Sequence, residues 1–119
     1  MKRLIKVMKA LSDPNRLKIF KILQNSTLQN SSMCVCEIQF SLGLAQSSIS
    51  KHLKILEEAD LVESKKSGLW VDYFISNNAD NQYAVVMSQH LKKWINEDPE
   101  LSKVLEKASI ADREKICKG

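Results

Sequence analysis

The stretch Cys34–Leu56, CVCEIQFSLGLAQSSISKHLKIL, decides the fold of this chain of 119 residues. Its first part predicts a short helix over Ser32–Leu42 with Ser32 as the N-cap, and Gly43 is the residue type that commonly ends a helix. A longer helix is predicted over Gln46–Asp60, because its apolar residues recur at helical spacing: Ile49, Leu53 and Leu56. A short helix, a glycine turn and a second helix with a polar outer face form a helix-turn-helix.

Two amphipathic segments precede this stretch. Residues 2–11 place four apolar side chains on one face of a lysine-rich helix: Leu4, Val7, Met8 and Leu11. Asp13 or Ser12 can cap a second helix, with Pro14 in its first turn. The run NRLKIFKILQN that follows has such a wide apolar face that we expect a central helix buried on more than one side. The polar run Gln24–Ser32 predicts a loop.

A β-hairpin and further helices follow. After Leu61, β-branched and aromatic residues flank a turn predicted at Ser67-Gly68. Helices are expected over about Asn81–Asn96, from Asp98-Pro99, and weakly into Cys117. The order is ααααββα with a C-terminal helical extension, a mainly α winged helix-turn-helix. We expect a winged helix-turn-helix domain over residues 1–96 and a helical tail over residues 97–119.

The composition is that of a globular protein, with 44% apolar and 27% charged residues. No apolar run approaches the roughly 18 residues that a membrane span needs, and lysines interrupt the basic N-terminus, so we expect no signal peptide and a cytoplasmic location. Three cysteines without a scaffold spacing argue against a disulfide framework and favour ligand or redox chemistry in a reducing compartment.

The positive net charge gives DNA binding only modest support. The chain carries a formal charge of +4. Residues 1–21 hold seven Lys or Arg and one Asp, whereas residues 42–76 hold four Lys and five acidic residues. The basic bias therefore lies mainly in the first two helices and not in the expected reading helix.

Several of these motifs together resemble the ArsR/SmtB family of small dimeric metalloregulatory repressors. The resemblance rests on KALSDPNRLKIFKIL (Lys9–Leu23), CVCEI (Cys34–Ile38), QSSISKHLKILEEADLVES (Gln46–Ser64) and the wing through Trp70 and Tyr73. It covers about residues 2–95. The Cys-Val-Cys in the helix before the expected reading helix is similar to the trivalent-arsenic site of the arsenical-responsive members of the family.

The resemblance implies a homodimer that sits on double-stranded operator DNA and is released when a ligand binds. It also implies that residues 1–96 serve both DNA binding and dimerisation, with the first helix and Gln82–Ile95 at the interface. The implied interface residues are Leu4, Val7, Met8, Leu11, Val86, Met87, Leu91 and Trp94. Arsenic(III) or antimony(III) is the implied inducer, and no organic cofactor, membrane contact or enzymatic activity is expected.

The candidate ligand donors are Cys34 and Cys36, with Cys117 as a third. Thiolates bind soft, thiophilic species far better than oxygen or imidazole does. Residues two apart lie about 200° apart around a regular helix, so the first turn must be irregular if both sulfurs are to meet one ion. The best-known arsenical pattern has a third cysteine where this chain has Gln39, which leaves a site of two thiols or one completed by Cys117. His90 lacks the partners of the family's second, zinc-type site.

The polar face of the second helix and the wing supply the candidate DNA contacts. Gln and Ser side chains suit base edges, and lysines suit phosphates. The candidates are Gln46, Ser47, Ser48, Ser50, Lys51, His52, Lys54, Lys65 and Lys66. Trp70, Trp94 and Tyr73 are most simply core residues.

Other functions compatible with the sequence are a cadmium, lead or zinc sensor and a sensor that responds to thiol oxidation or polysulfide. A thiol oxidoreductase using Cys-x-Cys is disfavoured, since the chain lacks a thioredoxin-like βαβ pattern and a positioned base. A winged helix that binds only protein would show no salt-sensitive DNA binding.

Overall fold

The computed structural model describes residues 1–117 of the chain. Its helices and strands confirm the predicted winged helix-turn-helix and add one short strand. In chain order they are α1 (Lys2–Ala10), α2 (Pro14–Leu28), β1 (Met33–Cys34), α3 (Val35–Leu42), α4 (Gln46–Glu58), β2 (Val62–Ser67), β3 (Trp70–Ile75), α5 (Gln82–Leu91), α6 (Pro99–Ile110) and α7 (Arg113–Ile116).

The centre of the fold is α2, as its wide apolar face predicted. Four of its apolar side chains are at most 1% exposed: Ile19, Phe20, Ile22 and Leu23. The apolar face of α4 packs against this centre with three fully buried side chains: Ile49, Leu53 and Leu56. Each such burial contributes about 1.5–3 kcal/mol, so these contacts hold α4 with its polar face outward.

The wing is part of a three-stranded antiparallel sheet in the order β1-β3-β2, whereas the sequence predicted only a hairpin. Cys34 of β1 and Lys65 of β2 both pair with Asp72 of β3. The predicted Ser32 cap is wrong, because the chain stays extended through Cys34, which is itself the N-cap of α3. A strand of two residues is too short to show alternation in the sequence.

The hairpin turn lies one residue later than predicted. Ser67 pairs with Trp70, so Gly68 and Leu69 form the two-residue turn. Gly68 has φ +61°, a left-handed conformation that glycine adopts without a steric penalty. Two-residue hairpin loops favour such a residue at their first position.

Helix α2 extends to Leu28, so the loop predicted over Gln24–Ser32 is wrong in its first half. Tertiary hydrogen bonds hold the added turn. The side-chain nitrogen of buried Gln24 donates to the Ser88 carbonyl over 2.8 Å. The Thr27 hydroxyl accepts from the Ile75 N–H of β3 over 3.1 Å. These partners are far away in sequence and outweigh the low helix propensity of a Ser/Thr/Asn-rich segment.

Helix α5 ends at Leu91, five residues before the predicted end at Asn96. The ammonium of buried Lys21 donates to the Leu91 carbonyl and to Asn96 Oδ1. A lysine that satisfies the last carbonyl groups of a helix stabilises that end. Ile95 then takes a positive φ of 56°, which turns the chain towards α6.

The tail is helical, as predicted, and folds back onto the body of the chain. Asp98 caps α6 by accepting from the N–H groups of Glu100 and Leu101. Leu101 and Val104 are buried, and α6 packs against α2 and α3. The last two residues of the predicted tail, 118 and 119, lie outside the described residues. None of the helices in residues 1–117 has the length and hydrophobicity of a membrane-spanning segment.

We expect Asp13→Ala to lower the free energy of unfolding by about 1 kcal/mol at neutral pH, because Asp13 caps α2. Burial raises the pKa of Asp13, but hydrogen bonds from the Arg16 and Asn15 N–H groups and the charge of Arg16 outweigh it and leave the pKa below its usual value. A carboxyl whose pKa is lowered by folding stabilises the fold above its unfolded-state pKa of about 3.9. That stabilisation is lost as the pH falls through the lower folded-state value.

Urea unfolding of wild type and variant over a series of pH values measures this difference. The difference should be full at neutral pH and shrink as the pH falls below about 4. Asp80→Ala is the matched control, because Asp80 is exposed and caps no helix. An Asp13→Ala difference no larger than that of the control would contradict the capping role.

Candidate DNA-reading surface and thiol cluster

The predicted reading residues lie on the outer face of α4. Its candidates are exposed except for Ser48 and His52, which are half-buried. Lys65 and Lys66 are exposed on β2 of the wing. Because the apolar face of α4 is buried in the core, the serines, Gln46 and Lys51 face solvent together. This arrangement presents hydrogen-bonding groups and positive charge on one surface.

His52 faces the protein's own Arg16 rather than open solvent. Its Nδ1 lies 3.3 Å from Arg16 Nη1, and arginine has no lone pair to offer, so Nδ1 accepts. Arg16 also donates to the carbonyls of Ala10 (2.8 Å) and Lys9 (3.1 Å) at the end of α1. One guanidinium therefore connects α4 to the corner between α1 and α2. Any role of His52 at DNA rests on its other ring nitrogen.

Cys36 and Cys117 are joined as a disulfide, with a Cα–Cα distance of 5.8 Å. The sequence argued against a disulfide framework and did not predict this single pair. Cys117 belongs to the same chain's tail, and α6 and α7 bring it back across α3. A separation of 81 residues leaves no local pattern from which this contact could be read.

Cys34 is a buried thiol at the start of α3. Its N–H donates to Glu37 Oε1 over 3.1 Å, and its Sγ lies 3.4 Å from the same oxygen. Burial raises the pKa of Cys34, and the charge of Glu37 adds to the effect. Cys34 therefore carries its proton at neutral pH. The predicted 200° separation of the two sulfurs does not apply, because Cys34 is extended and only Cys36 lies within the helix.

An arginine of the tail joins the thiol region to the wing. Arg113 Nη2 donates to Glu37 Oε1 over 2.9 Å and to Asp72 Oδ1 over 2.7 Å. The guanidinium carbon lies 5.0 Å from the centroid of the Trp70 ring, a cation–π distance. No local pattern predicts this cluster, since its ion pairs join residues 76 and 41 positions apart.

The apolar face predicted for dimerisation is only partly available. Val7, Leu11 and Leu91 are buried in the chain's own core. The exposed members of the predicted set are Leu4 (39%), Met8 (52%), Val86 (46%) and Trp94 (49%), while Met87 is half-buried. The prediction of Trp94 as a core residue is therefore wrong. It is exposed and stacks on His90 with ring centroids 5.1 Å apart.

With Cys36 and Cys117 bonded to each other, no group of three or more His, Cys, Asp or Glu side chains within residues 1–117 is arranged to hold a metal ion. The thiols fit a thiophilic ligand only after reduction. Two sulfurs are then adjacent, and Cys34 lies two residues before one of them. Adjacent thiols are donors that soft ions prefer.

The fold and the outward polar helix beside a wing define the class, which is a winged helix-turn-helix DNA-binding transcriptional regulator. The family described as "Bacterial regulatory protein, arsR family" matches residues 13–64. An uncharacterized HTH-type transcriptional regulator, MJ1325 of Methanocaldococcus jannaschii, is 45% identical over 69 residues, which are 58% of this chain and 73% of that protein. The chain belongs to the ArsR family of transcriptional regulators.

Two further relatives are named for arsenical or cadmium resistance. The arsenical resistance operon repressor of Escherichia coli is 29% identical over 112 residues, covering 94% of this chain and 77% of the relative. The cadmium resistance transcriptional regulatory protein CadC of Listeria innocua is 39% identical over 69 residues, covering 58% of this chain and 55% of the relative.

Solved structures share the fold. Reduced HlyU from Vibrio cholerae superposes with a TM-score of 0.63 at 25% identity, covering 80% of this chain and 90% of that one. The homodimeric winged helix-turn-helix domain of Mb0332 from Mycobacterium bovis, a possible ArsR-family regulator, has a TM-score of 0.56 at 26% identity, covering 79% and 86%.

We expect the three thiols to differ sharply in reactivity. As isolated without reductant, the folded protein should show no fast-reacting thiol. After reduction, half-buried Cys36 should react with iodoacetamide much faster than Cys34, whose burial limits access and raises its pKa. Mass spectrometry of peptides after timed labelling measures the three rates. In urea the rates should converge, and a Cys34 rate equal to that of Cys36 in the folded protein would contradict this assignment.

Proposed function

We propose that this protein represses transcription by binding operator DNA through α4 and the wing, and that a thiophilic ligand held by Cys34, Cys36 and Cys117 releases it. The observation that carries the proposal is the contact of Cys117 with Cys36 of α3, the helix that packs directly against α4. A change at the thiols therefore acts on the element that supports the reading helix. A regulator of this kind works on DNA, so we place it in the cytoplasm.

Arsenic(III) or antimony(III) is the inducer we favour. The relative matched over most of this chain is named an arsenical resistance operon repressor. The reduced chain offers two adjacent thiols and a third nearby, which suits an element that bonds to thiolates. Cadmium is the rival, because another relative is named for cadmium resistance. Soft thiolate sites accept both, so affinity alone does not select between them.

A second candidate function is redox sensing, and the Cys36–Cys117 disulfide favours it. Two thiols lose two electrons and two protons when they form a disulfide. A peroxide can take up both and leave water, or a small disulfide can take them up and leave two thiols. Oxidation would tie the tail to α3 and remove two donors from the ligand site. The two functions are therefore alternatives for the same sulfurs.

We also propose that the protein acts as a homodimer. Six apolar side chains on α1, on α5 and just after α5 are exposed, and a second copy would cover them: Leu4, Ile5, Met8, Val86, Trp94 and Ile95. The solved domain of Mb0332 is described as homodimeric. Two copies of α4 would then read half-sites about one helical turn apart.

We expect arsenite to weaken operator binding by the reduced protein about 100-fold, which corresponds to about 2.7 kcal/mol of coupling. Cys36→Ser should abolish the response, because it removes a donor at the centre of the cluster. Fluorescence anisotropy of labelled operator DNA, titrated in turn with arsenite, cadmium chloride and hydrogen peroxide, measures the effect. A response to peroxide alone would identify the redox function.

The single variants Cys34→Ser and Cys117→Ser separate the possible sites. Loss of the response in both indicates three thiols, whereas a full response in Cys117→Ser indicates a site of two. Ser109→Ala, at an exposed position of α6 away from α4 and the wing, controls for a general effect of substitution. Should no probe weaken DNA binding by the wild-type protein, the sensor assignment fails while the DNA-binding assignment stands.

We expect Lys65→Ala combined with Lys66→Ala to weaken DNA binding for every sequence. Each lost phosphate contact lowers the slope of log K against log salt by about 0.9, so two contacts change it by about 1.8. Gln46→Ala should instead reduce the preference for operator over random DNA. Lys103→Ala with Lys107→Ala, two exposed lysines of α6, is the matched control. An unchanged salt slope for the wing variant would show that the wing does not contact phosphates.

A further inference from the structure

The tail carries two attachments to the rest of the chain on one turn of helix. Cys117 is bonded to Cys36 of α3. Arg113, four residues earlier, bridges Glu37 and Asp72. The N–H of Cys117 donates to the Arg113 carbonyl over 2.9 Å, so the two residues belong to the same helical turn. A movement of Cys117 relative to α3 therefore moves Arg113 as well.

The two carboxylates that Arg113 joins lie on different functional elements. Glu37 is in α3, where its Oε1 also holds the N–H of Cys34. Asp72 is in β3, the central strand, and pairs with Cys34 on one side and with Lys65 of the wing on the other. The side chains of Glu37 and Asp72 are only 12% and 13% exposed. Water therefore screens their charges poorly, and their separation depends on the cation between them.

The wing itself is also held by this cation. Trp70 begins β3 immediately after the hairpin turn, and its ring lies under the Arg113 guanidinium. The guanidinium thus contacts the tip of the wing hairpin through Trp70 and its middle through Asp72. Without the tail, two partly buried carboxylates would repel each other between α3 and β3.

We propose that Arg113 is a positioning residue that carries the state of the cysteines to the wing. This inference rests on the proposed function, since it assumes that a ligand binds at Cys36 and Cys117. A ligand held between their sulfurs takes the place of their direct contact and shifts α7 relative to α3. Arg113 then leaves its position between Glu37 and Asp72, and the wing with Lys65 loses the support that aligns it with α4.

The first test is the coupling between ligand and DNA. Reduced wild type, Arg113→Gln and Lys115→Gln are titrated with arsenite and, separately, with cadmium chloride, and operator affinity is measured with and without each probe. In Arg113→Gln the roughly 100-fold fall expected for wild type should shrink to less than about 10-fold. Probe affinity in the absence of DNA should stay within about threefold. Lys115 is an exposed cation of the same helix, so Lys115→Gln should behave as wild type.

The second test asks whether Arg113 acts through the wing. Arg113→Gln should lower ligand-free operator affinity about tenfold in the wild-type background. In the background Lys65→Ala and Lys66→Ala, the same substitution should have no further effect. A general loss of folding would weaken DNA binding equally in both backgrounds, so this double-mutant cycle separates positioning from stability.

A third variant keeps the tests decisive if Arg113→Gln unfolds. The combination Glu37→Gln, Asp72→Asn and Arg113→Gln removes the charges together and leaves no unpaired carboxylate. It should fold, bind the probes and still show weak coupling. Full coupling in either Arg113 variant, with a responsive wild type, would overturn the role of Arg113 and leave the proposed function intact. An unresponsive wild type would overturn both.

Discussion

The burial of α2 is the constraint on which the rest of this structure depends. Ile19, Phe20, Ile22 and Leu23 are almost completely removed from solvent, which requires apolar partners on several sides. Helix α4 supplies one of those partner faces, and α6 of the tail supplies another. Because burying each such side chain contributes about 1.5–3 kcal/mol, the core determines which face of α4 remains outside. The reading surface is the face that the core leaves free.

A second set of interactions, polar and only partly buried, connects that core to the thiols. Glu37 accepts hydrogen bonds from Cys34 and from Arg113 on one carboxylate oxygen. Charge-assisted bonds of this kind are stronger than neutral ones, yet they depend on every partner staying in place. The core is closely packed, whereas the connection between the thiols and the wing depends on a few polar contacts. This division suits a repressor whose fold persists while its DNA affinity changes.

Much of the fold was predictable because its signals are local. The apolar spacing of α4, the Asp13 cap with Pro14, and the glycine of the hairpin turn act within a few residues. The errors fall where distant partners overrule local preference. Helix α2 runs on past Gln24 because Ser88 accepts its side-chain hydrogen bond, and α5 stops at Leu91, where Lys21 meets its last carbonyl.

The sequence by itself determined the family, the reading face of α4 and the three cysteines as the residues to examine, because periodicity and motif spacing are properties of the chain. Only the tertiary structure decided how the cysteines are used. It paired Cys36 with Cys117, enclosed Cys34 against Glu37 and placed Arg113 between two carboxylates. The disulfide joins residues 81 positions apart, and Arg113 lies 76 positions from Glu37 and 41 from Asp72, whereas the contact between Cys34 and Glu37 is local. The folding back of the tail creates the long-range contacts, and no pattern along the chain records it.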